Sequence, residues 1–257
     1  MRAHETAIID SGAEIDEDVD IGAYSIVGPS VRIAGGTRIG PHVVVSGKTT
    51  IGKNNRFFQF SSIGEVPQDK KYAGEETELI IGDDNTIREF CTFNIGTVQG
   101  GGVTRIGNDN WIMAYVHIAH DCIIGNHVIM ANNSTLGGHC TVGDHAILSG
   151  FSLVHQFVEI GDHSFISFAS HVNRSIPPYV TVAGEKAKAR GVNTEGLKRR
   201  GFTPEQVQNV RRAYRTLYRS GLSLDEARQK LAEMAKHSTE IEPLVTFLDQ
   251  VDRSIIR

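Results

Sequence analysis

Eighteen residues separate His120 from Gly138 and Gly138 from Gln156, and the same step links Asp121 to His139 and Phe157. If the chain repeats in space at that interval, these positions stack, and an imidazole lies next to a carboxylate below a residue with no side chain. His117 and His155 fall nearby along the same turns of chain. Together they hold the parts of an acyl-transfer site: a general base, an acidic group to orient it and balance its charge, and an unshielded backbone N–H to meet a developing oxyanion. Neighbours on a strand point to opposite faces, so adjacency alone does not place Asp121 against His120.

The elements that would stack these residues are legible in the apolar pattern. Every sixth residue from Ile9 to Ile63 is apolar, and the register runs unbroken again from Ile106 to Val172, with Ile81, Ile87 and Phe93 between. A helix of 3.6 residues per turn would scatter such positions around its surface, whereas short strands of a triangular solenoid line them up inside. Three hexads make one coil, so each residue sits about 4.8 Å from its counterpart in the coil before. The run is interrupted twice, and loops are expected at about 64–80, where Asp69 and Glu75 occupy the apolar register, and at the glycine-rich 96–105. Loops held by a rigid scaffold are common places for binding residues.

After Val172 the pattern stops at Ile176-Pro177-Pro178 and helical grammar begins. Thr203-Pro204-Glu205-Gln206 reads as an N-cap, a first-turn proline and a capping-box glutamine; Ser223-Leu224-Asp225-Glu226 repeats the signal, and Glu242-Pro243 opens a last helix. Three tail helices are expected. The chain divides into residues 1–188, a β-solenoid, and 189–257, a small C-terminal α-helical domain.

Charge and cysteine content narrow the function. The formal net charge is −4, yet residues 185–219 carry ten Lys or Arg against three Glu, a basic stretch suited to a nucleotide or an acidic protein. No stacking aromatics alternate with these basic residues, which argues against nucleic acid. No long apolar run and no leader-like start occur, so the expectation is a cytoplasmic protein without stable membrane insertion. Cys122 and Cys140 occupy equivalent places in successive coils, close enough for a disulfide to be conceivable, but two small reduced residues packed there are the expectation. His127, His145 and His163 form a column of their own at the fourth position of successive hexads. Without a carboxylate partner it reads as a solvent-facing stack rather than a metal site.

Five segments in order carry a family resemblance: IGEVPQDKKYAG from Ile63, GTVQGGG from Gly96, HIAHD from His117, VHQF from Val154 and GVNTEGLKRRGF from Gly191. The whole chain resembles the bacterial UDP-N-acetylglucosamine O-acyltransferases that begin lipid A synthesis. The resemblance implies a mainly β fold, a left-handed parallel β-helix with a helical tail, which is an exception to the right-handed crossover rule. It implies a homotrimer with sites in the grooves between subunits, a 3-hydroxyacyl-acyl carrier protein donor, and no metal or coenzyme. On the family's pattern His120 takes a proton from the 3-OH of the glucosamine as it attacks the thioester directly, Asp121 stabilises the imidazolium, and the Gly138 N–H holds the oxyanion.

Substrate contacts carry over by position. Gln68, Asp69 and Lys71 in the first loop match sugar and phosphate contacts, with His117, His139, His155 and Gln156 further round the groove. Asn193, Glu195, Arg199 and Arg200 match a nucleotide-binding stretch, where the planar fork of arginine suits a diphosphate. Arg211, Arg212, Arg215 and Arg219 are left for the acidic carrier protein. Two positions depart from the family: Asn94-Ile95 stands where members often have His-Arg, removing a basic pair near the groove, and Phe168 stands where some have glycine at the far end of the acyl groove. An aromatic ring there implies a donor shorter than the 14-carbon chain that glycine would admit. Alternative readings are the same fold acting on a 3-amino UDP-sugar, a zinc-dependent β-helix enzyme, or a non-catalytic scaffold.

Overall fold

The computed structural model describes residues 1–252 and 254–257. Among the described residues, short and almost entirely parallel strands wind into a β-helix whose three faces are sheets of eleven, nine and eight strands. The register step is three hexads through most of its length, as in His117↔Thr135↔Leu153↔His171. Each hexad contributes one large apolar side chain to the interior, so that Ile81, Ile106, Ile124, Val142 and Ile160 are all almost fully buried. A second, smaller inward residue lies four positions later: Val116, Cys122, Val128, Ser134, Cys140 and Ala146 are wholly enclosed. The three cysteines are free thiols. Cys122 Sγ donates to Gly137 O at 3.3 Å and Cys140 Sγ to His155 O at 3.2 Å, which keeps both small inward residues satisfied.

At most corners the residue three after the large apolar one adopts the left-handed region, with φ between +51° and +72° at eighteen non-glycine positions among the described residues, including Asp121, His139, Phe157, His145 and His163. These corners explain where the interruptions go. Ser62 pairs with Thr92, two hexads beyond the regular partner position, so the first loop adds two hexads' length of chain. Thr92 pairs with His117, so the second loop adds just over one hexad's length. Both leave from the corner that Asp121, His139 and Phe157 continue. They are shorter than expected, because strands Ser62–Glu65 and Glu78–Ile81 take up residues at both ends of the first loop, and Val103–Ile106 takes the end of the second.

The solenoid also runs past Val172: Val180–Ala183 pairs parallel with Phe165–Ile166, and Lys188–Val192 closes that sheet antiparallel. Four helices follow among the described residues, α1 (Thr194–Arg199), α2 (Pro204–Tyr218), α3 (Leu224–Ala235) and α4 (Glu242–Gln250). The capping boxes at Thr203 and Ser223 form as the sequence indicates. The short α1 is a helix beyond the three expected, since it shows no apolar period; it is capped by Asn193, whose side chain accepts the Gly196 N–H at 3.1 Å. Leu197, Val210, Leu217, Leu231 and Leu244 bury a core for the helices that reaches back to Tyr179 of the solenoid.

The column at the next corner differs from its expected character. His127, His145 and His163 do stack, with ring centroids 4.6 and 4.7 Å apart, but His127 has a carboxylate partner, Asp109, one coil earlier at 2.7 Å, and Tyr179 and Phe202 cover the far end. Burial, helped by the neighbouring His145 and Arg200 charges, pushes the His163 imidazole down to about 4. Histidine in the unfolded chain takes up its proton below about pH 6.5, while folded His163 stays neutral until far lower, so the unfolded state binds more protons in between. His163 therefore contributes stability that is complete above about pH 6.5 and is lost as pH falls toward 4. Thermal melts of His163→Phe, which keeps the stacked ring, should show a shallower fall in Tm over that interval than wild type; identical slopes would refute this assignment.

Candidate active site

His120 and Asp121 fall at the second and third positions after the buried Ile118, so they sit on a corner and not along a strand. The left-handed φ of +60° at Asp121 swings its carboxyl back toward its neighbour, and His120 Nδ1 lies 2.7 Å from Asp121 Oδ2. The contact that strand geometry would forbid is made because the turn intervenes. With the carboxylate accepting, the proton belongs on Nδ1, which leaves Nε2 as a bare acceptor of a further proton.

Asp121 is 1% exposed at its side chain and His120 13%. The second loop supplies the cover. Thr97 donates to the carboxylate from its backbone N–H at 2.7 Å and its hydroxyl at 2.6 Å, the Asp121 N–H donates to Thr104 Oγ1 at 2.8 Å, and a Cβ on Gly100 would collide with the carboxyl group. A buried carboxylate accepting three hydrogen bonds has a fixed orientation and fixes the ring it holds. Thr97 and Thr104 escaped the sequence reading; the signal available was that the loop beginning at Gly96 leaves from the Asp121 corner.

Gly138 lies against the face of the imidazole. A Cβ built there would stand 2.5 Å from His120 Cε1 and 2.7 Å from Nε2, so the base occupies the volume that any side chain would need. The Phe157 N–H donates to Gly138 O at 2.9 Å, while the Gly138 N–H has no partner among the described residues and remains able to donate. His139 meets His120 edge to face at 5.1 Å, stacks on Phe157 at 4.3 Å and places Nε2 3.6 Å from Asp121. Burial, helped by the neighbouring His120, holds its imidazole below the ordinary value against the Asp121 charge and the Asp69 charge of the first loop, both of which raise it.

The other expected residues distribute themselves unevenly. His117 lies one strand before the dyad with Nδ1 2.7 Å from Thr92 Oγ1, and burial lowers its affinity for a proton. Gln68 and Lys71 are exposed on the first loop, where Asp69 accepts the Lys71 N–H at 2.9 Å. His155 and Gln156 are exposed, and His155 borders a cavity of about 410 Å³ over the sheet face between Thr135 and His171. Phe168 is 67% exposed at the far corner of that face, its ring against Phe151. Asn193, Glu195, Arg199 and Arg200 are not beside the dyad: Arg200 faces His145 and His163, on the next corner round.

Asn94 and Ile95 also differ from expectation. Both are buried, and Asn94 Nδ2 donates to Val66 O at 2.9 Å and Glu65 O at 3.3 Å and ties down the start of the first loop. Of the pair, Asn94 thus anchors the first loop.

His120, Asp121 and His139 have their ligating atoms within 4.8 Å of one another, a spacing that a cation could also use. The carboxylate is already held by Thr97 and His120, the arrangement of an orienting group more than of a free ligand. Among the described residues no helix is long and apolar enough to cross a membrane.

A hexad-built parallel β-helix with a histidine–aspartate dyad at one corner is the architecture of the hexapeptide-repeat transferases, and residues 104–138 match the model described as bacterial transferase hexapeptide. Residues 176–256 match the model described as UDP-N-acetylglucosamine O-acyltransferase, domain 2. The chain belongs to the UDP-N-acetylglucosamine O-acyltransferase family. It is 54% identical over 258 residues to the acyl-acyl-carrier-protein–UDP-N-acetylglucosamine O-acyltransferase of Herminiimonas arsenicoxydans, covering 99% of this chain and 98% of the relative. With the enzyme of that name from Thiobacillus denitrificans it shares 56% over 255 residues, at the same coverage. The crystal structure of the UDP-N-acetylglucosamine O-acyltransferase from Moraxella catarrhalis superposes with a TM-score of 0.98 at 44% identity, covering the whole of both chains.

Proposed function

We propose that this chain transfers a 3-hydroxyacyl group from acyl carrier protein to the 3-OH of UDP-N-acetylglucosamine, the first step of lipid A biosynthesis. The observation that carries the mechanism is the wedge formed by Asp121, the His120 ring and Gly138. A sugar hydroxyl is a weak nucleophile at neutral pH. His120 Nε2 removes its proton as the oxygen attacks the thioester carbonyl; Asp121 holds the imidazolium so formed; the Gly138 N–H donates to the tetrahedral oxyanion. Collapse expels the carrier thiolate, which recovers the proton from His120, so no acyl-enzyme is needed.

The nucleotide stretch and the dyad occupy different corners of one β-helix, which favours a homotrimer in which one subunit's Asn193, Glu195, Arg199 and Arg200 close the groove beside the next subunit's His120. Gln68, Asp69, Lys71, His117, His139, His155 and Gln156 then line the sugar and phosphate path. A mixture of His120→Ala and Arg200→Ala chains, refolded together, should recover part of the activity that each lacks alone. No recovery would mean that each site is built from one chain.

The acyl chain is placed across the sheet face between His155 and Phe168. A transfer assay with a series of 3-hydroxyacyl carrier proteins, from ten-carbon to fourteen-carbon chains, tests both reaction and ruler. Product is expected from UDP-N-acetylglucosamine with a preference below the fourteen-carbon donor. Phe168→Gly should move that preference to a longer chain, since each added methylene buried is worth about 0.8 kcal/mol where room exists; an unchanged preference would sink the ruler. Acylation only of the 3-amino analogue would replace the acceptor assignment.

A further inference from the structure

A second cavity, of about 490 Å³, opens between the end of the solenoid and α2, lined by Arg174, Lys186, Lys188, Tyr214, Tyr218 and Arg219, with Arg257 at its edge. Among the described residues no acidic side chain lines it, in a chain whose net charge is −4. Arg257 is committed elsewhere, donating to the carbonyls of Leu217 and Leu222 at the end of α2. Among the described residues Arg174, Lys186, Lys188 and Arg219 take part in none of the ion pairs, although the surface offers acidic partners to many other cations. Glu185 is the nearest acidic group in sequence and borders the adjoining cavity instead.

The wall between these cations adds an independent sign. Tyr214 and Tyr218 stack with centroids 4.6 Å apart, and both hydroxyl oxygens are buried without a hydrogen-bond partner. An unsatisfied buried donor is costly, and here two of them belong to side chains that line the same cavity as four cations outside the ion pairs. A tetrahedral oxyanion supplies several acceptor oxygens and the balancing charge at once; arginine forks and phenolic O–H groups are suited to it.

We propose that this cavity is a phosphate-binding site, separate from the dyad and from the Arg199–Arg200 stretch, which takes a phosphate group either free or at the end of a phosphopantetheine arm. It is tested by calorimetric titration of inorganic phosphate, at constant ionic strength, into wild type, Arg174→Gln/Arg219→Gln, Tyr214→Phe/Tyr218→Phe, and Arg199→Gln/Arg200→Gln. Wild type and the Arg199/Arg200 variant should bind alike, the Arg174/Arg219 variant about tenfold or more weaker, and the tyrosine variant weaker with a phosphate-free Tm at least that of wild type, since it deletes two orphan hydroxyls. Absence of binding to wild type would overturn the proposal, as would binding lost only with Arg199 and Arg200, or unaffected by all the cavity substitutions. Phosphopantetheine titrated in parallel identifies the source: tighter binding than phosphate assigns the site to the carrier's arm, weaker binding to the free anion.

Discussion

His120→Ala is expected to lower kcat by about a hundred- to ten-thousandfold, the range associated with loss of a positioned general base, while KM for the sugar nucleotide changes little. The ring is 13% exposed, makes its polar contact through Nδ1 to Asp121, and has Nε2 free for chemistry. None of the solenoid's interior column depends on it, so the melting temperature should stay near that of wild type. Steady-state transfer kinetics with a thermal melt on the same preparation checks both statements. A variant that kept most of its kcat would show that another group removes the proton, and His139, 5.1 Å away ring to ring, would be the first to examine.

Gly138→Ala should be nearly as damaging, for a steric reason. The new methyl group would stand 2.5 Å from one ring carbon and 2.7 Å from the reactive nitrogen of His120, and nothing real packs so closely. The imidazole can retreat only by giving up its 2.7 Å contact with Asp121, which is itself fixed by Thr97 and Thr104. The ring must leave its carboxylate or tilt across the Gly138 N–H, and either outcome removes transition-state stabilisation; a loss of about a hundredfold or more in kcat follows if the oxyanion donor is masked. Backbone strain does not enter, since Gly138 does not occupy the left-handed region reserved for glycine. Circular dichroism melts should fall by a few degrees, as a buried carboxylate loses its partner, while kcat collapses. Full activity in the alanine variant would place the base elsewhere.

The hexad period made the β-helix and its coil-on-coil stacking legible, because one repeating burial event fixes both, and it correctly brought His120 under Gly138 and Asp121 beside His139. What it could not convey was the corner. The pattern marks which residue points inward but not that the third residue after it turns into the left-handed region, and that turn is what joins Asp121 to His120. The same omission set the loop ends too wide and left Thr97 unnoticed, since a glycine-rich excursion shows no period from which to infer where it lands. Asn94 reads in the sequence as a missing charge, whereas burial gives it an anchoring task at the first loop.

The measurement closest to the central claim is single-turnover transfer by His120→Gln, which fills much of the ring's place without a base, beside His120→Ala. If the imidazole of His120 removes the proton, both variants lose about a hundredfold or more in the chemical step while melting near wild type. A His120→Gln rate close to that of wild type would contradict the account, because some other group would then be removing the proton.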